Sequence, residues 1–135
     1  MKRRFGCAAV RYLAQDELLV VPGMGGRAPR EVNRKALSEF LEPRMEEIFT
    51  LVKREIYRAG MEASIPSGLV LTGGTSLLEG TTDIAESVFN LQTRLGKPQG
   101  ISGLVDVVNN PMYATGVGLV LYGARNQTEK KFRIR

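Results

Sequence analysis

The residues best suited to chemistry in this chain form the run Val70-Leu71-Thr72-Gly73-Gly74-Thr75-Ser76-Leu77-Leu78-Glu79-Gly80. An apolar stretch ends in paired glycines, then hydroxyls, then residues able to start a helix. In α/β sheets, ligands bind beyond the carboxyl ends of strands. Glycines there let the backbone approach a ligand closely, and a following helix N-terminus adds free N–H groups and the positive end of a dipole. A bare Gly-Gly also serves as an ordinary tight strand-to-helix connection, so the pair alone does not distinguish the two. Two carboxylates, Asp83 and Asp106, have surroundings that could activate a substrate hydroxyl, and each also fits a plain surface position. There is no His, which removes the common general base and the common zinc ligand. Cys7 is alone, so no internal disulfide forms, which fits a reducing cytoplasm.

Composition narrows the setting. The chain has 135 residues, enough for one domain or two small lobes, and its 43% hydrophobic content argues against disorder. The longest apolar stretch, near residues 117–122, is too short to cross a bilayer, and no signal-peptide pattern is expected at the N-terminus. A net charge of +5 invites a nucleic-acid partner. Yet the basic residues sit mostly at the two ends (Lys2, Arg3, Arg4; Lys130, Lys131, Arg133, Arg135) and on one helical segment mixed with Glu, with no aromatics interleaved in a recognised nucleic-acid motif. Solvated charge, and no nucleic-acid partner, is therefore expected.

The elements that must position the glycine run follow from periodicity. Residues 7–10 and 17–21 read as short strands joined by a turn at Gln15 and Asp16, and a Pro/Gly-rich loop covers 22–29. Leu37, Leu41, Met45, Ile48, Val52, Ile56 and Ala59 recur at helical spacing, with Glu39, Glu46, Lys53 and Arg54 on other faces. Pro43 predicts a kink, or one helix ending near Leu41 and another starting at Glu42; Gly60 predicts the stop. Residues 67–72 read as a strand buried on both faces, 81–89 as a helix, and 93–96 as a strand. Asn110 and Pro111 predict the start of a last helix running to about Ala124. This order is that of an α/β layer, but two strands are too few to cover so apolar a last helix, so part of the lobe is expected to be missing.

A resemblance sharpens these expectations. Gly73-Gly74-Thr75-Ser76-Leu77-Leu78-Glu79-Gly80 resembles the adenosine motif of the actin and Hsp70 superfamily. Further segments, Phe5-Gly6-Cys7-Ala8, Val21-Pro22-Gly23, Gly25-Gly26-Arg27-Ala28-Pro29-Arg30, Glu42-Pro43-Arg44, Gly103-Leu104-Val105-Asp106 and Pro111-Met112-Tyr113-Ala114-Thr115-Gly116-Val117-Gly118-Leu119, resemble successive segments of the FtsA family of bacterial cell-division proteins. Their order and spacing agree over residues 2–125. The resemblance implies a partial actin-like (ribonuclease H-like) ATPase domain: residues 1–62 as most of subdomain 2B, 63–125 as the later part of subdomain 2A, and 126–135 as the start of a basic linker. It implies a fragment of a cytoskeletal adaptor that binds ATP, polymerises, and tethers FtsZ to the membrane at the division septum. Its place would be the cytoplasm, at the inner face of the cell membrane.

The resemblance also assigns residues. Gly73 and Gly74 would pass beside the adenosine, with Thr75, Leu77 and Leu78 bordering the base. The family takes the C-terminal tail of FtsZ on subdomain 2B, where Arg30 and Arg44 match its basic contacts. Phe40 and Met45 could floor an apolar groove, and Glu47 follows Arg44 by one helical turn. Arg30 has a rival role at a contact with the next subunit of a polymer, and Arg44 with Glu47 could be an ordinary surface pair worth about 0.2–0.5 kcal/mol. Ala114, Gly116 and Gly118 would permit close helix packing.

The departures from the family bound the activity. Its two phosphate loops have no counterpart, and Gly80-Thr81-Thr82-Asp83-Ile84-Ala85 only imitates the end of the second, because Leu77-Leu78-Glu79 stands where that loop needs Asp-x-Gly-Gly. ATP with Mg²⁺ would thus belong to the intact parent protein, with neither tight binding nor hydrolysis expected of this chain alone. The membrane-targeting helix has no counterpart either, since Lys130-Lys131-Phe132-Arg133-Ile134-Arg135 only begins a basic linker. Two alternatives stay open: another member of the superfamily, such as a sugar or acetate kinase, and a free-standing basic binding module. A kinase would need both phosphate loops and a substrate-activating carboxylate.

Overall fold

The structure is a computed structural model describing residues 6–13, 17–23, 25–103 and 105–127, apart from the side chains of Val105, Asp106 and Gln127. Phe5, the turn residues Gln15 and Asp16, and the basic chain ends lie outside these residues. The first regular unit is an antiparallel hairpin of β1 (Leu18–Val21) and β2 (Arg30–Asn33), with Leu18 opposite Asn33 and Val21 opposite Arg30. Leu19 and Val21 are buried while Leu18 and Val20 face outward, the period of two of a half-buried strand. The expected strand at 7–10 is different. Cys7 makes an isolated parallel bridge to Glu79, and Val10–Tyr12 is a 3-10 turn. The partner of β1 therefore lies beyond the glycine-rich loop, not before it.

Helix α1 runs unbroken over Arg34–Arg58. Asn33 caps it, its side chain accepting the Lys35 N–H at 2.8 Å. Pro43 sits inside, costing one backbone hydrogen bond, but it does not divide the helix. The turns around it are held from outside: Glu42 accepts the Val10 N–H at 2.8 Å, and Met45 and Phe49 are buried. The helix stops where Gly60 and Met61 donate to the carbonyls of Tyr57 and Ile56, a Schellman pair.

The buried face of α1 is rotated from the expected stripe. Ser38, Met45 and Phe49 are buried, whereas Ile48 and Val52 are exposed, as is Ala59. Lys53, expected on an outer face, is half-buried, and its Nζ donates to the Val88 carbonyl at 2.6 Å. It thereby satisfies one of the open carbonyls at the end of the next helix. The core forms where α1 meets α2 (Thr81–Phe89): Met45 and Phe49 join Leu78, Ile84, Ala85 and Phe89, with Ala8 and Ala9 beneath. Phe49 and Phe89 meet edge to face, 6.3 Å apart at 72°, worth about 0.5–1.5 kcal/mol beyond their buried area.

Strands β3 (Leu69–Leu71) and β4 (Thr93–Leu95) flank α2 and pair in parallel, Leu69 with Thr93 and Leu71 with Leu95. The expectation that β3 is buried on both faces fails: Val70 is 53% exposed. A short helix α3 (Val105–Val108) follows. Asn110 then accepts the Met112 N–H at 3.0 Å, Pro111–Tyr113 forms a 3-10 turn, and α4 continues over Ala114–Gln127. Among the described residues, a Cβ added at Gly116 or Gly118 of α4 would meet nothing within 4 Å, so these glycines serve no close packing there. Leu119, Val120 and Tyr122 are 67%, 71% and 70% exposed. Among the described residues, no helix is long and apolar enough to cross a membrane.

Candidate functional site

The glycine run forms the connection from the end of β3 to the start of α2. Gly73 has φ 90 and ψ 165, a conformation open only to glycine, and its N–H donates to the Pro111 carbonyl at 2.9 Å. Thr72 fixes the same corner, its Oγ1 lying 3.2 Å from the Gly96 carbonyl and 3.3 Å from that of Pro111. Gly74 then opens a 3-10 turn, Gly74–Leu77. The buried Ser76 closes that turn, its Oγ donating to the Gly73 carbonyl at 2.7 Å. The loop is thus a rigid corner at the carboxyl end of a parallel strand, built on backbone contacts with Pro111. The sequence marked Asn110-Pro111 only as a helix start. Its second service, as acceptor for the Gly73 N–H, leaves no local pattern to read.

Space around the loop differs by residue. A Cβ at Gly73 would meet nothing within 4 Å, and one at Gly74 would meet only Met112 Cβ at 3.8 Å, an ordinary contact. Thr75 and Leu77 are exposed. The loop thus leaves backbone open at Gly73 and Gly74 and the side chains of Thr75 and Leu77 exposed. Leu78 does not belong with them: it is buried in the core against α1 and α2, so it cannot border a ligand lying on the loop. Gly80 ends the run in the left-handed region, with an added Cβ only 2.5 Å from Ala9 Cβ. Thr81 behind it is 2% exposed, so this end is packed, not open.

Of the two candidate carboxylates, Asp83 is engaged elsewhere. Asp83 lies in the first turn of α2, 3.2 Å from Arg11. The side chain of Asp106 lies outside the described residues. Glu79 anchors the loop exit, its carbonyl accepting the Ala8 N–H at 2.7 Å and its carboxylate meeting Arg34 at 3.2 Å. Arg34 also holds both carboxylate oxygens of Glu17, at 3.0 and 2.9 Å, and this hydrogen bonding pushes its pKa upward against the opposing effect of burial. Burial pushes the Cys7 thiol up, so it stays protonated and unreactive. Among the described residues, no group of three or more Asp, Glu or Cys is placed to hold a metal ion.

The expected peptide-binding residues separate. Arg44 and Glu47 are exposed and hydrogen-bonded to each other, Phe40 is 80% exposed, and Arg30 is exposed at the start of β2. Met45 is only 6% exposed and faces α2, so it cannot floor a surface groove.

The family model for cell division protein FtsA matches residues 1–118. The chain belongs to the FtsA family. It is similar to the cell division protein FtsA of Pseudomonas aeruginosa, 49% identical over 129 residues, covering 96% of this chain and 31% of the relative. Against FtsA of Escherichia coli K12 it is 41% identical over 130 residues, 91% of this chain and 31% of that protein. Against FtsA of Borreliella burgdorferi it is 38% identical over 120 residues. This FtsA-family chain therefore spans about a third of the length of the curated relatives it matches. Within the family setting, the mixed helix and strand architecture is part of an α/β domain.

Proposed function

We propose that this chain is part of a cell-division adaptor that binds ATP, polymerises, and tethers FtsZ to the cytoplasmic face of the membrane at the division septum. Residues 1–62 supply most of subdomain 2B, 63–125 the later part of subdomain 2A, and 126–135 the start of a linker towards a membrane-targeting helix elsewhere in the parent protein. The observation that carries the nucleotide assignment is the corner at Gly73 and Gly74, an open stretch of backbone fixed beyond the carboxyl end of a parallel strand. It offers backbone and the side chains of Thr75 and Leu77, which suits a base and ribose better than a triphosphate. Phosphates and Mg²⁺ would need charged groups from the rest of the parent protein, so this chain alone turns over no ATP.

The hairpin and α1 carry the proposed partner surface. Arg30, Phe40, Arg44 and Glu47 present charge and an apolar ring to solvent, the pairing that an acidic and apolar tail peptide requires. The open faces of β3 and α4 fit a domain that the remainder of the parent protein completes.

Gly74→Val in the full-length protein tests the nucleotide assignment. Gly74 lacks the positive φ of Gly73 and has room for a Cβ, so the substitution reports on the ligand more than on the fold. The expected result is a folded protein whose ATP affinity falls by about tenfold or more. Normal ATP binding by the folded variant would remove the site from this loop.

A further inference from the structure

Arg34 is the one described side chain that joins the hairpin to the exit of the glycine loop by ion pairs. It is the first residue of α1, and its backbone N–H donates to the Glu17 carbonyl at 2.8 Å, extending the β1–β2 ladder into the helix. Its guanidinium spans two carboxylates on separate units: Glu17 beside β1, through both oxygens, and Glu79 at the end of the glycine loop. The Arg34 side chain is 20% exposed, while the carboxylates of Glu17 and Glu79 are 43% and 54% exposed, so the link rests on its forked geometry more than on shielding from solvent. A planar, forked donor can hold both partners at once, whereas an ammonium on a flexible stem is a single point of charge.

Glu79 is held on its other side as well. Its carbonyl accepts the Ala8 N–H, and the neighbouring Val10 N–H donates to Glu42 on α1. A displacement of the loop exit therefore acts on α1 at two points, its first turn through Arg34 and its middle through Glu42. The same rigid helix carries Arg44 and Glu47.

From this geometry we infer that Arg34 is a positioning residue that couples the nucleotide loop to the peptide-binding face of α1, so that occupancy of one changes affinity at the other. The inference rests on the functional reading given above. Coupling of this kind is reciprocal and typically amounts to about 5- to 150-fold in affinity.

The test uses the full-length protein and a labelled peptide of the FtsZ tail, titrated with and without ATP. In the unmodified protein the two dissociation constants differ by about fivefold or more. In Arg34→Gln the ratio falls towards one while the ATP-free affinity changes by less than about twofold. Glu79→Gln, which spares the Glu17 pair and the backbone bond to Ala8, lowers the ratio in the same direction and decides the matter should Arg34→Gln fail to fold. Arg34→Lys restores less than half of the coupling. A ratio of one in the unmodified protein, or a ratio unchanged in both glutamine variants, overturns the inference. Failure of the unmodified protein to bind peptide or ATP at all instead sinks the functional reading, and this inference with it.

Discussion

Gly74 and Gly80 bracket one loop but answer to different constraints. Gly74 has ordinary backbone angles and open space beside it, so nothing inside the chain demands glycine there. Gly80 has φ 80, and a Cβ would stand 2.5 Å from Ala9 Cβ and 3.2 Å from the Tyr12 ring. Gly80→Ala should therefore destabilise the fold by about 2–4 kcal/mol, from left-handed strain plus overpacking. Urea denaturation of the two proteins checks this, and a loss below about 1 kcal/mol would show that the segment around Ala9 yields easily. The place of the paired glycines, after a strand and before a helix, was legible in the sequence, but the pair alone did not distinguish a ligand loop from an ordinary tight connection. The separate fates of Leu77 and Leu78 were not legible, since both are apolar and adjacent. Only the 3-10 turn decides that one faces solvent and the other the core.

At the scale of elements, α1 carries two surfaces with opposite duties. Its inner face holds Met45 and Phe49 against α2, so Met45→Ala should cost about 2–5 kcal/mol of stability. Phe40→Ala, at an 80% exposed position, should stay within about 0.5 kcal/mol, which thermal or urea unfolding would reveal. Comparable losses at both positions would mean that the helix is turned differently. The outer face bears the partner proposal. Arg44→Glu in the full-length protein should weaken binding of the FtsZ tail peptide by more than about tenfold, and more so at low salt. An unchanged dissociation constant would move the peptide elsewhere. Helical segments at α1 and α2 and the two strands β3 and β4 could be read from periodicity and breakers, whereas the parallel pairing of the strands and the continuity of α1 through Pro43 come from the structure. The pairing of β1 could not be read either. Its partner lies across a Pro/Gly-rich loop that gives no sign of strand pairing, while the nearer apolar segment is drawn off to bridge Glu79. Met45 and Ile56 of the expected stripe do pack in or against the core, but Ile48 and Val52 do not, and Lys53 reaches a helix end that local sequence does not reveal.

As a whole molecule, the chain leaves apolar side chains open on two of its described elements. Val70 on β3 and Leu119, Val120 and Tyr122 on α4 stand open, and an open groove of ≈ 450 Å³ runs between α4 and the residues around Ile101 and Val108. Apolar surface of this extent marks an interaction face, and under the function proposed above the rest of a longer parent protein covers it. The most direct test of the account is the structure of the full-length protein with bound ATP. It should show the adenosine lying against the backbone of Gly73 and Gly74, with further strands or helices covering Val70 and α4. An adenosine bound elsewhere, with that loop empty, would contradict it.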